Sequence, residues 1–146
     1  MESHGDRAEI LFNSGFNCAQ SVVGAFDHEP DFDLETAFRL ASSFGGGMGR
    51  LREVCGALTG LFMVIGLKYG YSDPGDHEAK TKHYQLVQEL AMKFKERYGS
   101  ILCRDLLQLD EQVSDPTPEV RTDAYYQRRP CAEYVRFAAS LLDLED

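Results

Sequence analysis

A glycine-dense turn followed by a nearly uncharged apolar run constrains this chain more than any other feature. The turn reads Phe44-Gly45-Gly46-Gly47-Met48-Gly49, and the apolar run extends from Val54 to Leu67. Four glycines in five residues give the backbone a freedom that no other residue type supplies, so the chain can turn sharply there. A helix that is apolar all round is a buried helix. We therefore expect the run to form a central helix surrounded by others.

Apolar residues at helical spacing predict further helices on both sides of this run and no strand. Asn17 and Asp33 are good N-caps, and Pro130 is typical of a helix start. The expected helices cover about residues 7–13, 18–27, 34–44, 54–70 and 76–98, a short segment at Cys103, and residues 131–142. The polar segment 110–118 predicts a loop. The sequence thus predicts an all-α fold, a compact single-domain bundle of about six or seven helices within residues 1–146.

The charge balance bears on partners and location. A formal net charge of −9 and a pI near 4.9 argue against nucleic acid and anionic membrane surfaces, both of which require basic patches. The N-terminal sequence does not resemble a secretory signal, and the run from Val54 to Leu67 is shorter than the about 20 residues of a bilayer span. We expect a protein of the reducing cytoplasm that binds neither nucleic acid nor membrane.

The four cysteines, Cys18, Cys55, Cys103 and Cys131, are the candidates for chemistry. None of them belongs to a C-x-x-C pair, yet each lies in or just before the first turn of a predicted helix. In a reducing compartment, cysteines more often bind metal or catalyse than form disulfides. We therefore expect one shared site among four helix ends. Redox-active thiol pairs and plain core cysteines are the alternatives, since free cysteine often packs as a small hydrophobe.

The surroundings of Cys55 suggest how such a site would work. The positive end of a helix favours thiolate, so we expect an apparent pKa nearer 7 than about 8.5 for this thiol. Backbone N–H groups of Gly45, Gly46, Gly47 and Gly49 could hold anionic sulfides, although a simple helix–helix turn explains the glycines equally well. Gly56 would border the site. Gly56 and Gly60 together form a smooth helix face. Such a face more often packs inside one fold than between subunits, so a homodimer is possible but is not the first expectation.

Several of these segments, in this order, carry a family resemblance. Asn17-Cys18-Ala19-Gln20, the glycine turn, Cys55-Gly56-Ala57-Leu58-Thr59-Gly60, Cys103 and Cys131 resemble the C-GCAxxG-C-C family of putative redox-active proteins. A similar domain is attached to split-Soret cytochromes, where four such cysteines are associated with an iron–sulfur centre. The resemblance implies that Cys18, Cys55, Cys103 and Cys131 are the ligands of an iron–sulfur cluster, a [2Fe–2S] centre. The chain lacks the C-x-x-C-H motif that attaches haem.

Three functions follow, and the sequence does not decide whether the protein is an enzyme. The first is electron transfer to a redox partner protein through an iron–sulfur cluster. The second is thiol–disulfide exchange by cysteine pairs without a cofactor. The third is a structural zinc site made of the same four thiolates.

Overall fold

The computed structural model describes residues 2–29, 32–109 and 113–145, and within these ranges the predicted all-α class is confirmed. In this part of the chain the only extended pairing is an isolated antiparallel bridge between Val54 and Leu102. The helices are α1 (His4–Asn13), α2 (Cys18–Gly24), α3 (Leu34–Ala41), α4 (Gly56–Tyr69), α5 (His77–Tyr98), α6 (Cys103–Leu106), α7 (Asp123–Arg128) and α8 (Cys131–Glu145). None of the described helices combines the length and apolarity that a membrane span requires.

The helix starts follow the capping residues that the sequence offers. The Asn17 side chain accepts the backbone N–H of Gln20 at 2.8 Å, and the Gln20 side chain accepts the N–H of Asn17 at 3.1 Å. This reciprocal capping box satisfies donors that have no partner within the helix. Asp33 caps α3 through the N–H of Thr36. Both predicted caps are confirmed, and the first of them fixes the position of Cys18.

The central helix is α4, as its composition predicts. Its residues from Gly56 to Leu61 are all buried, and it packs against α2, α5 and α8. The smooth face packs inside the fold: a Cβ atom at Gly60 would lie 2.7 Å from the backbone oxygen of Ala19 in α2. The glycines therefore allow α2 and α4 to approach closely, which brings the N-terminal ends of both helices together.

Two glycines of α4 allow a matched test of this close packing. We expect Gly60→Ala to lower the free energy of unfolding by about 1–3 kcal/mol, because the methyl group overpacks the α2 backbone. Gly66→Ala is the control, because its Cβ would meet nothing within 4 Å. That change should stabilise by about 0.5–1 kcal/mol through helix propensity. Urea unfolding measures both. Equal effects of the two substitutions would contradict the close packing.

The glycine turn has a left-handed backbone over several consecutive residues. After a short 3₁₀ turn at Ser42–Phe44, the segment Gly45–Met48 forms one hydrogen-bonded turn in which Gly46 and Gly47 have φ values of 68° and 67°. The left-handed conformation continues through Met48, Gly49 and Arg50 and returns at Arg52. Such a run is open to glycine and strained for other residues, so the glycines make this reversal feasible.

The structure corrects several predicted boundaries. The second helix ends at Gly24 rather than near Asp27, and α3 ends at Ala41. The predicted number of helices is too low for the described residues because α7 was missed; its short sequence carries no clear apolar stripe. Residues 113–118 are non-helical, as predicted, and residues 110–112 of that predicted loop lie outside the described residues.

Candidate functional site

All four cysteines line one cavity of about 320 Å³. Cys18, Cys103 and Cys131 are the first residues of α2, α6 and α8, and Cys55 is the N-cap of α4. Each has a free thiol, and none is more than 9% exposed. The fold thus brings together four thiols from four helix starts that are far apart in the sequence.

The isolated bridge holds two of these cysteines in register. The backbone N–H of Cys55 donates to the oxygen of Ile101 at 2.8 Å, and the N–H of Cys103 donates to the oxygen of Glu53 at 2.6 Å. These two hydrogen bonds flank the pair Val54 and Leu102. Because the bridge precedes α4 and α6 directly, it places the starts of both helices at the same wall of the cavity.

The glycine residues predicted to border a cofactor also line this cavity, namely Gly45, Gly46, Gly47, Gly49 and Gly56. A Cβ at Gly47 would lie 2.6 Å from the Cβ of Cys103, and one at Gly56 would lie 3.1 Å from the Cβ of Cys18. The turn therefore needs glycine to approach the cysteines. A role of these residues in binding a cofactor stays a prediction.

The cavity is cationic, although the whole chain is acidic. The charged residues of its lining are Arg50, Arg52, Arg121, Arg129 and Glu119. Glu119 pairs with Arg129, whereas Arg121 donates to the backbone oxygens of Phe12 at 2.9 Å and Phe16 at 3.1 Å. Arg121 and Arg129 were not predicted as site residues. Arg129 could have been found from its place two residues before Cys131, whereas Arg121 carries no local signal.

Arg52 is the most deeply buried of these cations. It is 4% exposed, its Nε donates to Ser114 Oγ at 2.9 Å, and its Nη1 donates to Cys103 Sγ at 3.5 Å. No carboxylate of the described residues forms an ion pair with it. A buried charge is costly unless an opposite charge compensates it. The cavity is therefore built to receive negative charge.

The pKa values of three of the four thiols are raised, and for Cys55 and Cys103 burial is the main cause. The pKa of Cys55 rises to about 12, because burial and the charge of Cys131 outweigh the hydrogen bonds from the N–H groups of Ala57 and Leu58. Burial likewise raises the pKa of Cys103 against the opposing effect of Arg52. The prediction of an apparent pKa nearer 7 than about 8.5 for Cys55 was wrong. The helix end does act on this sulfur, but desolvation costs the thiolate more.

Cys131 is the exception, because it accepts a hydrogen bond from a second thiol. Cys18 donates its S–H to the sulfur of Cys131, which lowers the pKa of Cys131 and raises that of Cys18 well above its ordinary value. The positive charges of Arg129, Arg121 and Arg52 lower the pKa of Cys131 further. The site therefore holds its first negative charge on Cys131.

The four thiols surround the cavity and do not converge on one point. Within the described ranges, no three His, Cys, Asp or Glu side chains are arranged to hold a single metal ion. The ligand role of Cys18, Cys55, Cys103 and Cys131 therefore stays a prediction.

Comparison with known proteins gives one match. A family model described as "Putative redox-active protein (C_GCAxxG_C_C)" matches residues 16–144, which include all four cysteines and the glycine turn. Among curated proteins and among solved structures, no match to the chain was found.

Proposed function

The chain belongs to the C-GCAxxG-C-C family of putative redox-active proteins, and on this premise we propose that its four-cysteine cavity holds an iron–sulfur cluster for electron transfer. The observation that carries the proposal is the meeting of four buried thiols and the buried Arg52 in one cavity. Cys18, Cys55, Cys103 and Cys131 would be the ligands, as four thiolates are the usual ligand set of a [2Fe–2S] centre.

The charges of the residues that line the cavity suit an iron–sulfur cluster. Four thiolates around a cluster bring several negative charges into a buried place, where they need compensation. Arg52 and Arg121 donate only to neutral or sulfur partners within the described residues, so their charges are available for this purpose. In metal-free protein the pKa of Cys55 is about 12, so a bound cluster would have to displace the proton of this thiol.

The chain's own residues would bind the cluster, orient it and limit its contact with water. A bound cluster supplies one-electron redox chemistry at a potential set by charge, hydrogen bonds and exposure. The helix starts hold the sulfurs in place, and the glycine turn keeps side chains away from them. The chain makes and breaks no covalent bond in electron transfer. Its task is to exchange an electron with a redox partner protein.

The zinc alternative receives less support from the same geometry. A structural zinc site draws four ligands into a closed tetrahedron around one ion. The described residues contain no such group of ligands around one ion, and a cluster could lie among the four thiols that line the cavity. Because four thiolates can bind either iron or zinc, metal analysis distinguishes the two proposals.

The test is the composition of protein purified without oxygen. We expect iron and acid-labile sulfide in equal amounts, together with visible absorption. Cys103→Ala should lose both, whereas Leu107→Ala, which shortens a lining side chain without sulfur, should keep them. A colourless protein loaded with zinc, or one without metal, would overturn the proposal.

The hydrogen bond between Cys18 and Cys131 favours a second candidate function, thiol–disulfide exchange. In this reaction the Cys131 thiolate attacks a disulfide of the substrate, and Cys18 then releases the reduced substrate by closing a disulfide with Cys131. Two electrons pass to the substrate, which also takes up two protons. Mass analysis of metal-free protein treated with oxidised glutathione would show a Cys18–Cys131 disulfide. Its absence would remove this candidate.

A further inference from the structure

Arg52 makes a contact that a general role as a counter-charge does not explain. Other cations of the cavity donate to backbone oxygens or pair with Glu119, whereas Arg52 donates directly to the sulfur of a cysteine, Cys103. Its orientation is fixed from the other side by Ser114, which is also buried. Arg52 and Ser114 thus form a buried polar pair aimed at one sulfur of the site.

The backbone of Arg52 is left-handed. Its φ is 62°, in the left-handed region where any side chain larger than that of glycine is strained. The preceding turn uses glycine at four positions, yet arginine stands at this one. Met48 and Arg50 share this conformation, so the hydrogen bond to Cys103, rather than the backbone, distinguishes Arg52.

We infer that Arg52 is a positioning residue that raises the reduction potential of the group bound by the four cysteines. This inference rests on the proposed function. Reduction adds one negative charge to the site, and a fixed cation next to a ligand sulfur stabilises that state more than the oxidised one. Ser114 holds the guanidinium in the direction of Cys103, as outer partners of metal ligands commonly do.

Arg50 provides a matched control. It lies two residues earlier, in the same left-handed segment, but its Nε donates to the backbone oxygen of Asp115 at 2.6 Å. A change at Arg50 therefore alters the charge of the same turn and leaves the hydrogen bond to Cys103 intact. Comparing variants of the two arginines therefore distinguishes the effect of a direct contact with the ligand sulfur from a general effect of charge.

The experiment is a redox titration of anaerobically purified protein, followed by visible absorption. We expect Arg52→Gln to shift the midpoint potential to a more negative value, and Arg50→Gln to shift it less. Ser114→Ala should give a smaller shift in the same direction. If Arg52→Gln does not retain iron, Arg52→Lys serves in its place, and its potential should lie below that of the wild type.

The outcomes separate this inference from the function on which it rests. Wild-type protein without iron and sulfide overturns both. Loaded wild-type protein with equal potentials for the wild type and the Arg52 variants leaves the proposed function standing and overturns the role of Arg52. Equal shifts for Arg50→Gln and Arg52→Gln also overturn it, because the effect then comes from charge alone.

Discussion

In reduced, metal-free protein at pH 8, Cys131 should react with iodoacetamide at least about 30-fold faster than Cys55. The thiolate is the reactive species. The pKa of Cys131 lies below its ordinary value of 9.0, whereas that of Cys55 lies at about 12. Each unit of pKa difference corresponds to about a tenfold difference in thiolate content, and the greater nucleophilicity of the more basic thiolate offsets about half of this effect on a logarithmic scale, which gives the expected ratio. Peptide mass spectrometry after timed labelling measures all four cysteines in one sample.

The urea-unfolded chain is the control for this labelling experiment. There the two cysteines should react at similar rates, because neither burial nor the hydrogen bond from Cys18 remains. Since the exposed fractions of Cys55 and Cys131 in the folded protein are 5% and 7%, access alone does not create a large ratio. Equal labelling rates in the folded protein would show that burial does not govern the ionisation of Cys55.

The high pKa of Cys55 should also make metal-free protein less stable in alkali. In the unfolded chain this thiol ionises near 9.0, whereas in the folded protein it stays neutral up to about 12. The stabilisation is therefore complete below pH 9 and is lost as the pH rises from 9 to 12. The full loss amounts to about 4 kcal/mol at most, at about 1.4 kcal/mol per pH unit.

Urea unfolding at pH 8 and pH 11 measures this effect. Tyr134, whose pKa is also raised to about 12 by burial and nearby thiolates, contributes to the loss of stability in the same range. The comparison with Cys55→Ala measures the contribution of the thiol together with its effect on Tyr134, whose pKa the charge of Cys55 helps to raise. A wild type that loses no more stability than Cys55→Ala between the two pH values would refute the assignment.

Much of the local structure could be predicted from the sequence. The capping of α2 by Asn17, the burial of the helix that follows Cys55 and the reversal at the glycine turn depend on neighbouring residues. The residues that make these contacts lie close together in the sequence, so helix propensity and hydrophobic periodicity are sufficient to predict them. The position of each cysteine at a helix start could be predicted for the same reason. The missed α7 lacks such periodicity.

The composition of the site was harder to predict. Arg121 reaches the cavity through hydrogen bonds to Phe12 and Phe16, more than 100 positions away in the chain. Ser114 meets Arg52 across 62 positions. No local pattern encodes these contacts, because they depend on how α1, the glycine turn and the segment before α7 pack together.

The sequence by itself determined most of the helix starts, which helix is central and that four cysteines stand at helix starts. Only the tertiary structure decided that the four thiols share one cavity, and that their ionisation is governed mainly by burial. The physical reason is the range of the interactions. Helix propensity and capping act within a few residues, whereas desolvation and charge–charge interactions depend on distances through space. For Cys55, the helix start lowers the pKa, and the surrounding fold raises it by more.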